Sequence, residues 1–505
     1  MEILNQVENI RGAREPLLSA GGAMNALLSP WTLAAACMLI SLGLMASSNA
    51  ALWAVSLLAL PVAVWLAGKQ AYRVLLWVIA VNWLQVIGDV VAADLTGNVL
   101  SDDPYRVQAI VWSLCAILAL ALGMRFGTAL GMPSGMRLGK WLFGPAAQAA
   151  STGSVAEGER GVSLNRVVIG YLISLLVTTI VGSVATSVPA LAQPVLALKL
   201  IKFVFVYLVA AKVFESGRGY GWLVLLSFAE MVIGMVGYFS SYKEAFIVIL
   251  IALASSRRQV SARMWIFGAA AVVAVVWASL AWTTVKKEYR LRVAGEPIAV
   301  ELEWMTQRIL VDSIDYGDAV MQLFQRIGYT ELYGRVIARE NIGALSHDFN
   351  FYASAVQHVL TPRFLFPDKA TLNDSKLTTA LLGMRITGET SIGVGYVAQA
   401  HADFGFPGLL LAILSIGIMI GVAAKYFMTR TIPLLIREAF TTATLFLAFP
   451  FEENIDKALG GFITGCLAMA LVLRFAYPMI ARWLTGPQAS RRRVYSNRSI
   501  KELPT

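Results

Sequence analysis

The stretch FPGLLLAILSIGIMIGVAA, residues 406–424, contains no charged side chain. Coiled as a helix, it approaches the about 20 apolar residues needed to cross a bilayer's hydrocarbon core. Comparable runs recur at approximately 31–47, 50–67, 71–91, 107–124, 166–186, 195–213, 221–239, 243–255, 264–282, 440–450 and 459–478. Together they make about twelve candidate spans by length. The pieces at 243–255 and 440–450 are short and read as broken or tilted. A barrel would instead show alternating segments of about 10 residues. The expected fold class is an all-α integral membrane protein.

Composition agrees. Charged residues make up 14% of the chain and hydrophobic ones 57%, with a mean hydropathy of +0.67. A soluble domain carries roughly 25% charged residues. The net charge of +10 suggests no nucleic-acid partner here, because in a membrane chain the placement of Lys and Arg matters more than their sum. Arg11, Arg14, Lys69, Arg73, Arg125, Arg137, Lys140, Lys212, Arg218, Arg257, Arg258, Arg263, Lys425 and Arg430 fall on one side when the spans are threaded. The tail SRRRVYSNRSIK joins them. Both termini are therefore expected in the cytoplasm. The segment MASSNA, residues 45–50, loosely mimics a signal-peptidase site. The long leader and the immediate second span read instead as a retained first helix.

This threading divides the chain into a cytoplasmic segment 1–30, nine spans within 31–282, a large extracytoplasmic loop 283–405, three spans within 406–480 and a basic cytoplasmic tail 481–505. Residues 125–165, rich in Gly, Ser and Ala, read as a flexible cytoplasmic linker. The outer loop has helical patterning. Leu302, Met305, Ile309, Val320, Leu323 and Ile327 repeat at roughly helical spacing, as in an amphipathic helix lying on the membrane. SKLTTALLGM, residues 375–384, reads as a second helix with Asn373 or Asp374 as N-cap.

Cys37, Cys115 and Cys466 lie in apolar runs and form neither a disulfide framework nor a metal-thiolate spacing. No HExxH, Walker-A or GxSxG motif occurs. No metal or cofactor is expected. Four polar features remain. In TPRFLFPDK, residues 361–369, Pro362 and Pro367 stiffen a turn that can hold Arg363 and Lys369 toward one space. Arg offers a planar fork suited to phosphate oxygens. The plainer alternative pairs Arg363 with Asp368 or a carbonyl in a buried turn. In FSSYKEAFIVILIALASS, residues 239–256, Lys243 and Glu244 enter an apolar helix at its outer end, where the N-terminus favours an anion. Lys243 can equally snorkel into water.

The third feature, GMRITGETSIGVGYVAQAHADFGFPG, residues 383–408, gathers Arg385, Glu389, His401 and Asp403 among glycines just before a span. His401 is a candidate base because histidine titrates near neutral pH. Asp403 can be a substrate ligand or simply an N-cap. Two positions apart on a helix, the two side chains diverge by about 200°. They share a site only if the helix has not begun or begins at Asp403. Finally, VKKEYRLR, residues 285–292, places Arg290 among outer cations that can draw in an anionic lipid-linked substrate. A long loop also translocates whatever its charge.

TPRFLFPDKA resembles the PRFLWPxKP signature of bacterial Wzy-type polysaccharide polymerases, in the O-antigen polymerase and ligase superfamily. GVGYVAQAHADFGFPG resembles the segment that often reads GExYxNFGxxG there, and SSYKEAFIVILIAL resembles the GSRxxLLxLLLxL helix. Their order agrees too, and the match covers about residues 224–475. The resemblance implies a GT-C-like glycosyltransferase that lengthens a glycan at the outer face of the inner membrane. Its substrates would be oligosaccharides on undecaprenyl pyrophosphate, and its partners a flippase and a chain-length regulator. Arg363 falls on the signature Arg, Lys243 on the usual Arg, Asp403 on the usual Asn, His401 on the usual Tyr and Gln399 on a frequent Glu. Arg363, Lys243 and Arg385 would then bind pyrophosphate, assisted by Lys369, Asp403 and Arg290. Glu389 or His401 would take a proton, since Gln399 cannot. The rival readings are a ligase using His347, His358 or His401, a polyprenyl-phosphate-sugar transferase using Asp102 and Asp103, and a transporter.

Overall fold

The computed structural model describes residues 29–68, 72–130, 162–187, 197–235, 242–256, 261–293, 296–311, 316–345, 350–361, 366, 374–384, 393–430 and 432–485. The described residues are helical, with no strand among them. Among the described residues six helices are long and apolar enough to cross a membrane, and three shorter apolar helices accompany them. This is the expected class. In lipid a helix satisfies its own backbone polar groups, which an open strand cannot.

The helices relevant to the site are α1 (Pro30–Gly43), α2 (Ala50–Ala67), α3 (Arg73–Thr96), α4 (Pro104–Leu130), α5 (Leu164–Ser187), α6 (Leu200–Ser216), α7 (Tyr220–Met235), α8 (Tyr242–Ser255) and α9 (Ala262–Arg292). Short helices of the segment between α9 and the next long apolar helix follow: α10 (Ile298–Thr306), α11 (Tyr316–Ile327), α12 (Thr330–Asn341), α13 (Phe351–Leu360) and α14 (Asp374–Leu382). The chain ends with the apolar helix α15 (Tyr396–Met428), the short α16 (Leu434–Leu445) and α17 (Ile455–Leu471), with α18 (Tyr477–Thr485) beyond a wide turn.

The closest helix pairing is α4 against α15. A methyl group added at Gly123 would overlap the Leu414 carbonyl, and one at Gly417 the Leu120 carbonyl. Gly127 and Gly421 repeat the arrangement one turn on. Two small-xxx-small stripes thus let the backbones touch, as packing in lipid favours. The MASSNA segment forms the turn between α1 and α2. Ser47 and Asn49 donate hydrogen bonds to the Asp94 carboxylate at 2.7 and 2.6 Å.

Several boundaries differ from the sequence reading. The expected span at 440–450 is instead α16 followed by a buried irregular turn. Pro450 cannot continue a helix and disfavours helical geometry at the residue before it, and Phe449 adopts a φ of 51°. Irregular backbone at such depth is tolerated where protein covers it, and Phe449 and Phe451 are fully buried. The helix expected over 264–282 does not stop there but runs from Ala262 to Arg292. The single amphipathic helix expected over 301–327 is two helices, α10 and α11, separated by a wide turn at Gln307–Val311 and by residues 312–315. α11 packs on α3 and α9. α14 begins at Asp374, and Asn373 lies outside the described residues. Residues 125–130, expected in the cytoplasmic linker, continue α4; 131–161 are not described.

Candidate functional site

α15 begins where the chain is most constrained. Asn454 Oδ1 accepts the amides of Val394 and Gly395 at 3.0 and 3.2 Å. A Cβ on Gly395, whose φ is +89°, would collide with the Phe451 carbonyl and the Tyr329 hydroxyl. Only glycine accepts both that geometry and that crowding. Tyr329 in turn donates to the Val394 carbonyl. The turn before α17 is therefore locked to the start of α15, which fixes the direction of every side chain that follows.

Three of those side chains account for the polar end. Gln399 is 1% exposed, and its Oε1 accepts the Ile455 amide at 2.7 Å. It satisfies one of the amides that open α17, which otherwise have no partner inside their helix. His401 is equally buried, and its Nε2 lies 3.0 Å from Glu340 Oε2 on α12. Its ring sits edge-on to Trp112 at 4.8 Å and to Tyr333 at 5.6 Å. Phe406 stacks on Trp112. Asp403 turns away and accepts the amides of Phe351 and Tyr352 at 3.1 and 2.8 Å. It is a cap, as one alternative had it, but for α13 rather than for its own helix. The helix starts at Tyr396, so His401 and Asp403 diverge as the helical angle requires.

α12 reaches His401 because α3 holds its other end. Asp89 is 2% exposed. It accepts the Thr330 amide at 2.5 Å and the Thr330 hydroxyl at 2.6 Å, and pairs with Arg106 at 3.1 Å. A side chain at Gly328 would strike Asp89. Removing one partner from a buried ion pair strands the other, at a cost of about 3–5 kcal/mol. Asp89→Ala is therefore expected to destabilise the protein by about that amount, while Asp89→Asn, which keeps an acceptor, loses less. Thermal unfolding in detergent measures both. Equal midpoints for wild type and Asp89→Ala would remove this role.

Glu340 escaped the sequence reading. Its carboxylate is 28% exposed while the His401 side chain is 2% exposed, so the acid forms the rim and the imidazole lies behind it. Burial raises the Tyr333 hydroxyl well above its ordinary pKa, with smaller contributions from Tyr329, Glu340 and Cys115. Tyr333 stays neutral, and among the described residues its buried hydroxyl has no hydrogen-bond partner. Arg335 and Arg339 on α12 lie beside Met384 and Gly383. Arg335 also pairs with Glu331 at 2.7 Å.

A second cluster surrounds Lys243, exposed in the first turn of α8. Lys199, Lys202 and Lys243 all lie within electrostatic reach of Glu244. Lys202 contacts Glu230 at 2.7 Å, and Tyr171 donates to the same carboxylate at 2.8 Å. Three lysines and two glutamates therefore meet where α6 and α8 begin. Asp102 and Asp103 are exposed, and Asp103 accepts the Arg106 amide at 3.1 Å at the start of α4. Arg363, Lys369, Arg385 and Glu389 lie outside the described residues, as does the side chain of Arg290. Phe366, the one residue between Pro362 and Pro367 that is described, is 49% exposed.

Fold and site define a polytopic helical membrane protein with a helical cap that places an acid over a buried histidine. No protein-family model, no curated protein and no solved structure matches the chain.

Proposed function

We propose that this chain is a GT-C-like polysaccharide polymerase of the inner membrane. It transfers a growing undecaprenyl-pyrophosphate-linked glycan onto a lipid-linked repeat unit. The capped end faces outward, and the end bearing Arg73, Arg125, Lys425 and Arg430 faces the cytoplasm with both termini. The observation that carries the reading is the Asp403 cap. It ties the segment resembling GExYxNFGxxG to the helix that runs directly into TPRFLFPDK. One motif is thus bonded to the helix that precedes the other in the chain.

In this mechanism the acceptor sugar hydroxyl gives its proton to Glu340, backed by His401, or to Glu389. The oxygen then bonds to the anomeric carbon of the donor glycan. The carbon–oxygen bond to pyrophosphate breaks, and its electron pair leaves with the pyrophosphate. Arg363, Lys243 and Arg385 stabilise that charge without a metal. Lys369, Arg290 and the Lys199–Lys202 pair extend the positive field. Long glycan and lipid segments hold the reactants in line.

Deleting the gene in its host and restoring it tests the reading on a polysaccharide gel. Loss of long chains with retention of single repeats, reversed by the wild-type gene, is the expected result. Accumulation of long lipid-linked polymer in the deletion would point to a ligase. Unchanged chain lengths would reject polymerisation, and substrate flux through reconstituted vesicles would then favour transport.

A further inference from the structure

The end of the bundle remote from His401 contains a cavity of about 1000 Å³. The proposed chemistry makes no use of it. Arg73, Arg125 and Glu438 line it, together with Tyr207. Tyr207 is fully buried and donates to Glu438 at 3.2 Å. Arg73 lies within electrostatic reach of Glu438, so that carboxylate answers one of the two guanidinium charges. Arg125 is exposed, and its side chain has no carboxylate partner among the described residues. Its stem lies over Gly68, 3.6 Å from where a Cβ would stand. Gly68 and Arg125 both line the cavity.

The mouth is aromatic. Trp31 and Trp65 line it and are 81% and 58% exposed. Exposed tryptophans at the end of apolar helices mark headgroup depth in a bilayer. A guanidinium at the rim of a polar cavity with an interfacial mouth suits a phosphate group, whose oxygens its planar fork can meet two at a time.

We propose that this cavity binds a phosphate mono- or diester, presented by a lipid of the adjacent leaflet or from solution. Arg125 is the main cation and Glu438 limits affinity by repulsion. The site lies on the other side of the membrane from the proposed polymerase centre, so the two can fail independently.

The test uses purified full-length protein in detergent. Native mass spectrometry counts retained phosphatidylglycerol and phosphatidylcholine, and thermal unfolding follows added inorganic phosphate. Wild type is expected to retain phosphatidylglycerol. Arg125→Gln should retain about fivefold less, the effect of one interfacial cation. Arg125→Lys should recover part of the loss, and Glu438→Gln, which keeps the acceptor for Tyr207, should retain more than wild type. Protection of wild type but not Arg125→Gln by inorganic phosphate, with lipids indifferent, would support the phosphate site and assign it a soluble ligand. Retention and protection unchanged in both Arg125→Gln and Glu438→Gln would overturn the proposal.

Discussion

Arg363→Ala is expected to abolish long-chain polysaccharide, lowering chain growth by about 10³-fold or more, while the amount of protein in the membrane stays constant. The magnitude is that of removing an arginine from a departing phosphoryl group. Arg363→Lys keeps the charge but loses the two-pronged geometry, so it should restore only part of the activity. The structure adds a companion variant. Asp403 fixes the first turn of α13 through two backbone amides, and α13 ends at Leu360, three positions before Arg363 in the chain. Removing a helix cap costs about 0.5–2 kcal/mol, so Asp403→Ala should shorten chains less severely than Arg363→Ala. Asp403→Asn should be milder still. A polysaccharide gel with a membrane blot reads all four. Normal chain lengths in stable Arg363→Ala protein would end the assignment of Arg363.

Glu340→Gln is expected to slow chain extension by about 10²–10⁴-fold, the usual contribution of a positioned base. The geometry distinguishes the two members of the pair. Glu340 stands at the rim and is partly exposed, whereas His401 is enclosed by Trp112 and Tyr333. In the proposed reaction the acid is the member that substrate would reach, and the imidazole would orient it. His401→Gln should therefore act through Glu340, and the double variant should be no slower than Glu340→Gln alone. Extension of a lipid-linked acceptor by purified protein measures the rate, and thermal unfolding is the control. A normal rate for Glu340→Gln with a lowered unfolding midpoint would make the pair a structural clasp. Slow extension by Glu389→Gln would then move the proton acceptor to that residue.

The helical membrane class was legible in residues 406–424 alone, because a backbone in lipid must bond to itself and a long uncharged run has only one economical way to do so. The span was read to begin at Phe406, but its helix begins at Tyr396, and Gly405 and Phe406 only interrupt its helical geometry. The divergence of His401 and Asp403 follows from helical periodicity once the helix is known to start at Tyr396. What the side chains meet was not legible. Glu340 sits in an ordinary amphipathic helix, and nothing local marks it as the partner of His401. Asp89 lies in a span, where it reads only as an expensive intramembrane charge. Its partners Arg106 and Thr330 appear only when α4 and α12 dock on α3. Gln399 read as the loss of an acid, yet the fold uses it to receive the first amide of α17. Sequence determined where helices form, because backbone bonding and transfer from water act over a few turns. Tertiary structure decided which polar groups face each other, because that depends on close backbone crossings such as Gly123 and Gly127 against Gly417 and Gly421, between segments remote in the chain.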